Sequence, residues 1–234
     1  MTTTPTLTIH HLAASSSERI PWLCEELSIP YTLKVYPRDP QTNLATPEYK
    51  SLHPGGSAPV INDLTNNLTL SESGACIHYI ATTHHLLPPN NNNKPPLFPS
   101  PTNPIYPTFL YWFHWSNATF QASLTRSLAL KSSSTPSKMA TITAARVSKS
   151  LHLLNTQLST TTYLCGTHLT AADIMLVFSL TTFRYWHPYS LSEYPHIVAY
   201  LSRIGKREAY RRAMEKSDPG MELVLGGEAP IAKW

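Results

Sequence analysis

Leu7 and Ile9 alternate with Thr8 and His10, the period-two pattern of a half-buried strand, and Thr32 to Tyr36 repeats it. Between them, Ile20, Leu23, Cys24 and Leu27 recur at i, i+3, i+4 and i+7, which places them on one helix face, toward the sheet. Strand, helix and strand in this order predict a β-α-β unit with parallel strands and a right-handed crossover. A polar stretch from Pro37 to Thr46 leads into a short helical turn around Pro47 to Leu52, and Pro54-Gly55-Gly56 signals a chain reversal. Val60-Ile61 and Leu68-Thr69-Leu70 flank Asn66-Asn67, which predicts an antiparallel hairpin, and a helix from Ser73 to about Thr83 follows.

The order β-α-β-α-β-β-α is that of a thioredoxin-like α/β domain, here residues 1–83. Residues 84–104 carry paired prolines, four consecutive asparagines and further prolines, a composition that supports neither a packed helix nor a central strand and is read as a linker. Beyond it every periodic segment is helical, over about 105–130, 136–158, 170–183 and 195–216, so residues 105–234 are expected to form an all-α domain. The tail after Pro219 is expected to pack loosely.

Composition fits two modest domains in 234 residues: 41% hydrophobic, only 14% charged, with 21 prolines. The formal charge is +4 and the pI about 8.9, but the basic residues are scattered until Lys206, Arg207, Arg211 and Arg212, and that cluster reads as a solvated helix face, not a nucleic-acid groove. Cys24, Cys76 and Cys165 are too few and too widely spaced for a disulfide framework or a zinc ribbon, which favours a reducing compartment. No leader pattern opens the chain and no long apolar run interrupts it. A soluble cytoplasmic protein is expected, with neither membrane nor nucleic acid as partner. His10-His11 and His84-His85 lack a second ligand pair at useful spacing, so surface or packing roles are expected and no metal.

Three short stretches carry the chemistry. Ser15-Ser16-Ser17-Glu18-Arg19 lies between the first strand and the first helix, where thioredoxins place a redox-active cysteine pair. With no cysteine there, what remains is a hydroxyl at a helix amino terminus, which favours an anion such as a bound thiolate; the same serines serve equally as N-caps. Ser57-Ala58-Pro59-Val60 enters a strand, and a cis Pro59 would turn the Ala58 backbone outward to pair with a peptide-like ligand. Ser71-Glu72-Ser73 precedes a helix, so Ser73 can meet a carboxylate and Glu72 an ammonium.

Together these patches resemble the glutathione site of the glutathione transferase family. The likeness extends through Arg19-Ile20-Pro21-Trp22-Leu23-Cys24-Glu25-Glu26-Leu27 and from Glu48-Tyr49 to Pro59-Val60. In the second domain, Tyr111-Trp112-Phe113-His114-Trp115 looks like the opening helix of fungal, yeast-type members, and Thr170-Ala171-Ala172-Asp173 like the family's capping box. The resemblance implies glutathione as co-substrate and a homodimer. It matches Ser15 to the hydroxyl that activates glutathione in serine-type members, with Ser16 and Ser17 as alternatives. It makes Ala58 the partner of the cysteinyl backbone, Pro59 the cis residue, and Glu72 with Ser73 the holders of the γ-glutamyl end. Members often carry Lys where Ser57 stands, so His53 is a candidate for the glycyl carboxylate.

An acceptor pocket would be walled by Tyr111, Trp112, Trp115, Phe183, Tyr185 and Trp186, although an aromatic stripe at helical spacing is equally read as core. Such a wall suits a large apolar electrophile. Three functions follow. The first is conjugation of glutathione to that electrophile. The second is glutathione-dependent cis-trans isomerisation, by reversible thiol addition to a conjugated double bond, as a tailoring step in fungal secondary metabolism. The third is a non-catalytic binding protein on the same fold.

Overall fold

The computed structural model of the chain describes residues 5–84, 96–131 and 137–233. Most of the expected linker, His85 and the expected helix start at Pro136 lie outside the described residues. Packing divides the chain into two compact units, Met1–Lys94 with Gly205–Glu222, and Pro95–Ile204 with Leu223–Trp234.

In the first unit a four-stranded sheet has the order β2-β1-β3-β4, from β1 (Leu7–Leu12), β2 (Thr32–Tyr36), β3 (Val60–Asp63) and β4 (Leu68–Ser71). β1 runs parallel to β2 and antiparallel to β3, with Ile9 beside Leu33 and Ile61. The parallel pair is the one the β-α-β pattern predicts. The alternation along β1 is incomplete: His10 and His11 are both buried, because this interior strand is covered on both faces. His10 is held by the Tyr36 hydroxyl at 2.9 Å and Asn62 Oδ1 at 2.6 Å.

A 3₁₀ turn (Ser16–Glu18) leads into α1 (Arg19–Leu27), which buries Ile20, Leu23 and Cys24 as its periodicity requires. Trp22, outside that apolar stripe, is buried too, edge-on to Tyr210 with ring centroids 4.9 Å apart. Its partner belongs to α10 (Glu208–Ser217). The long helix expected over 195–216 is in fact two, α9 (Pro195–Gly205) and α10, separated where Arg207 turns extended (φ −75°, ψ 120°). The expected solvated basic face is corrected in part. Arg207 forks onto both oxygens of Glu26 at 2.7 Å, and Arg212 and Lys216 reach Glu25 at 2.8 and 2.6 Å, all within the first unit. Lys206 and Arg211 do face solvent. Segment 205–222, which its pattern assigned to the helical domain, therefore packs with the α/β unit. The short α2 (Pro47–Lys50), which seats Tyr49 against Leu12 and Val60, and α3 (Ser73–Thr83) complete this unit.

In the second unit α4 (Tyr106–His114) passes through a π-helical segment, Trp115–Gln121, into α5 (Ala122–Lys131), so the helix expected over 105–130 is interrupted by wider turns. α6 (Lys138–Thr160) follows. Every residue of α7 (Ala171–Leu180) is buried, which makes it the central helix of this unit; the chain breaks at Thr181 before the short α8 (Phe183–Trp186). The capping box at the start of α7 is present: Thr170 N–H donates to Asp173 Oδ2 at 2.8 Å, with Leu169 and Ile174 both buried as a staple needs. The tail is not loose. Buried Arg184 donates to the carbonyls of Gly226, Gly227 and Glu228, and the Lys233 ammonium lies 4.2 Å over the Tyr185 ring. Among the described residues no helix is long and apolar enough to cross a membrane.

Candidate functional site

After Leu12 the chain turns through Ala13 and Ala14, the latter in the left-handed region at φ 49°. A non-glycine residue holds that conformation only where its surroundings over-determine it. Here they do. The Arg38 guanidinium donates to Ala13 O at 2.8 Å and Ala14 O at 3.1 Å, and Asp218, at the carboxyl end of α10, accepts from Ala14 N–H at 2.8 Å.

The three serines that follow separate by environment. Ser15 is the N-cap, accepting from Ser17 N–H at 3.2 Å; its oxygen lies 2.7 Å from Leu12 O, to which it donates, and 2.6 Å from Ser17 Oγ. Ser17 is fully buried, taking the Leu12 N–H at 3.1 Å and facing His11 Nδ1 at 2.9 Å, while His11 Nε2 meets Asp218 Oδ2 at 3.0 Å. Ser16 is half-buried, and its hydroxyl lies 3.5 Å from Ala58 O, at the outer limit of a hydrogen bond.

Ala58–Pro59 is a cis peptide, as expected from the resemblance. Ser57 is exposed, beyond a reversal in which Gly56 takes φ 58° and the half-buried His53 accepts from Gly55 N–H through Nδ1 at 3.1 Å. Ser71, the last residue of β4, ties the second patch to the third by donating to Pro59 O at 2.9 Å. Glu72 then adopts φ 78° with its side chain exposed, and α3 opens at Ser73 with no side-chain cap on its first N–H groups. Those groups favour an anion. Ser73 Oγ accepts from the buried Arg19 guanidinium at 3.2 Å, which leaves the Ser73 proton to be donated to a carboxylate. Burial lowers the Arg19 guanidinium to about 10, partly offset by Glu18, so it keeps its charge at neutral pH.

Residues 15–17, 58–59 and 72–73 are thus brought to one end of the sheet and joined by hydrogen bonds. Three further residues of this site were not singled out by the sequence: His11, Arg38 and Asp218. Arg19 stood in the first stretch and in the resembling helix, but its bond to Ser73, 54 residues on, was not legible there. His11 and Asp218 are 207 residues apart, and nothing local to either predicts their meeting.

The aromatic set of the second unit splits. Trp112 and Trp115 pack edge to face at 5.0 Å, Trp115 stacks on Phe120 at 5.3 Å, and Phe183 meets Phe178 at 5.8 Å; these are buried core rings, as is Tyr185. Tyr111 is exposed and Trp186 half-buried. The three cysteines are free and buried, and burial raises their thiols, Cys76 and Cys165 to about 12. No cysteine of the protein is therefore a thiolate at neutral pH.

Residues 14–83 match the family model described as "Glutathione S-transferase, N-terminal domain", and residues 119–208 that of "Glutathione S-transferase, C-terminal domain". Among solved structures, a glutathione S-transferase from Actinobacillus pleuropneumoniae is 31% identical, with a TM-score of 0.79 over 92% of this chain and 94% of that one. The theta class glutathione S-transferase from Xanthomonas axonopodis pv. citri, solved with glutathione bound, is 26% identical, with a TM-score of 0.65 over 89% of this chain and 97% of that one. Glutathione S-transferase 3 of Schizosaccharomyces pombe is 29% identical over 227 residues, covering 90% of this chain and 87% of the relative.

Proposed function

The chain belongs to the glutathione S-transferase family, and from that premise we propose that it ionises the thiol of glutathione at the serine turn and adds the thiolate to a large apolar electrophile. One observation carries this reading: three patches remote in sequence are tied together by the hydrogen bonds from Ser16 to Ala58, Ser71 to Pro59 and Arg19 to Ser73. Their chemistry suits the three parts of one tripeptide. Ser15 meets the sulfur, with Ser16 beside it. The Ala58 backbone pairs with the cysteinyl unit. Ser73, backed by Arg19, takes the γ-glutamyl carboxylate, and Glu72 the ammonium. His53 and Ser57 take the glycyl carboxylate in place of a lysine.

A thiol with the ordinary cysteine value of about 8.5 is only a few per cent ionised at neutral pH. A hydroxyl donor at a helix terminus lowers such a value by roughly one to two units, about 1.4 to 2.7 kcal/mol in favour of the thiolate. Because burial keeps the protein's own thiols protonated, glutathione supplies the nucleophile. On the helical unit, Tyr111 and Trp186 are the rings with surface left for an acceptor, while Trp112, Trp115, Phe183 and Tyr185 back them. Free, buried cysteines support a reducing, cytoplasmic setting, and the family resemblance a homodimer.

Incubation with glutathione and a conjugated polyene electrophile tests the proposal. A stable adduct, with thiol consumed in step, is expected. An isomerised polyene with full thiol recovery would assign the isomerase instead, and no change in either reactant would leave a binding protein.

A further inference from the structure

From the serine turn a chain of polar groups runs through the first unit to the carboxyl end of α10. It runs from Ser15 Oγ to Ser17 Oγ at 2.6 Å, to His11 Nδ1 at 2.9 Å, and from His11 Nε2 to Asp218 Oδ2 at 3.0 Å. Ser17 and His11 have no exposed surface, whereas Ser15 keeps 7%. At the other end the Asp218 side chain also keeps 7%, so the chain is sealed in its middle and reaches the serine turn through Ser15.

The direction of the chain follows from its ends. Asp218 Oδ1 already accepts the Ala14 N–H, which marks the side chain as an acceptor, so His11 Nε2 carries a hydrogen, and in the neutral imidazole Nδ1 then carries the lone pair. Ser17 then donates to His11 while its oxygen receives the Leu12 N–H, and it lies 2.6 Å from Ser15 Oγ, whose one hydrogen points to Leu12 O and can swing to it. With the Ser15 hydrogen swung from Leu12 O to Ser17, every donor along the path points toward Asp218. This is the order of groups by which an imidazole, oriented by a carboxylate, takes a proton from a serine hydroxyl. It differs in one respect: the serine next to the imidazole is sealed, so it passes protons on and does not attack.

We propose that Ser15, Ser17, His11 and Asp218 form a proton relay that draws the proton from glutathione into the protein interior. The proposal rests on the reading that the glutathione sulfur sits at Ser15. The S–H bond breaks as its proton joins Ser15 Oγ. The Ser15 proton passes to Ser17 Oγ, and that of Ser17 to His11 Nδ1, giving an imidazolium held by the Asp218 carboxylate. The hydrogen now on Ser15 is the one received from the thiol and lies toward the sulfur. One shift therefore both ionises the thiol and leaves Ser15 as donor to the thiolate. After the carbon–sulfur bond forms, the proton returns by the same path to the adduct or its leaving group. His11 and Asp218 act through the serines and are positioning residues. Arg38, from the segment after β2, also brings its guanidinium near Asp218; His10 points away, to Tyr36 and Asn62.

Two variants separate this relay from a merely structural network. In Asp218→Asn the amide can still accept the Ala14 N–H but turns its NH₂ toward His11, which reverses the imidazole tautomer and closes Nδ1 to protons. Ser17→Ala cuts the path and leaves His11 and Asp218 paired. Both are tested as purified full-length protein, with melting temperature and calorimetric glutathione binding measured beside wild type; should one unfold, the other carries the test. The readouts are the ultraviolet absorbance of the bound thiolate and the conjugation rate, each across pH. Glutathione binding within about threefold of wild type is expected, with a rate deficit of at least about tenfold near pH 6.5 that closes toward parity near pH 9.5, where free thiol ionises unaided. A deficit of the same size at every pH, or an unchanged thiolate fraction in both variants, overturns the relay. So does a wild-type thiol that ionises no lower than free glutathione. Failure of wild type to bind glutathione at all overturns instead the reading on which the relay rests, and the relay falls with it.

Discussion

Ser15 and Ser16 are neighbours with different work open to them. The Ser15 hydroxyl is bound inward to Leu12 O and Ser17, and it caps the helix; that of Ser16 is half-buried and loosely paired with Ala58 O. Ser15→Ala is expected to lower turnover at least about tenfold with glutathione still bound, and to cost about 1 kcal/mol as a lost cap. Ser16→Ala is expected to change turnover less than about threefold. Steady-state kinetics with calorimetric binding checks both, and the reverse ranking would move the sulfur to Ser16. That a serine here meets an anion was legible, because capping chemistry lies in consecutive residues. Which hydrogen points where was not, since it depends on His11 and Asp218.

At the scale of elements, the capping box of α7 was legible for the same local reason, but its weight was not. A lost cap costs about 1 kcal/mol. Asp173 also receives Leu164 N–H at 2.9 Å and the Tyr200 hydroxyl at 3.1 Å, and it is fully buried. Asp173→Ala strands these donors, so a loss of about 3 kcal/mol is expected, with a melting temperature lower by about 6–12 °C. Asp63, at the end of β3, gives a pH-dependent counterpart. Burial alone would raise its carboxyl, but hydrogen bonds from Tyr79, Asn66, Thr65 N–H and His84 overcome this and hold it at about 2. A folded value below the unfolded one means stability present above about pH 4 and lost as pH falls toward 2, about 2 kcal/mol in all. Denaturant unfolding of wild type and Asp63→Asn between these limits should show a loss smaller by about 2 kcal/mol in the variant.

For the whole molecule, the division of the chain is where pattern and structure part. Period 3.6 persists across residues 195–216, and nothing in it reports that Arg207 turns extended or that α10 packs on α1. The Arg207–Glu26 fork holds a nearly buried carboxylate (7% exposed), so Arg207→Ala is expected to cost about 1–2 kcal/mol. It should also raise amide hydrogen exchange over 208–217 and, by loosening Asp218, weaken thiol ionisation. Unchanged exchange there would show that Trp22 and Tyr210 hold α10 without the ion pair.

The elements themselves, the β-α-β crossover, the hairpin, the serine turn and the α7 cap were determined by the sequence alone. Each depends on spacing within a few residues, where backbone geometry ties side-chain direction to position. The path from Ser15 to Asp218, the pairing of Arg207 and Arg212 with α1, the π-helical segment and the fastening of the tail by Arg184 were decided only by the tertiary structure. These join groups far apart along the chain, and a buried polar group takes whichever partner folding brings within about 3 Å.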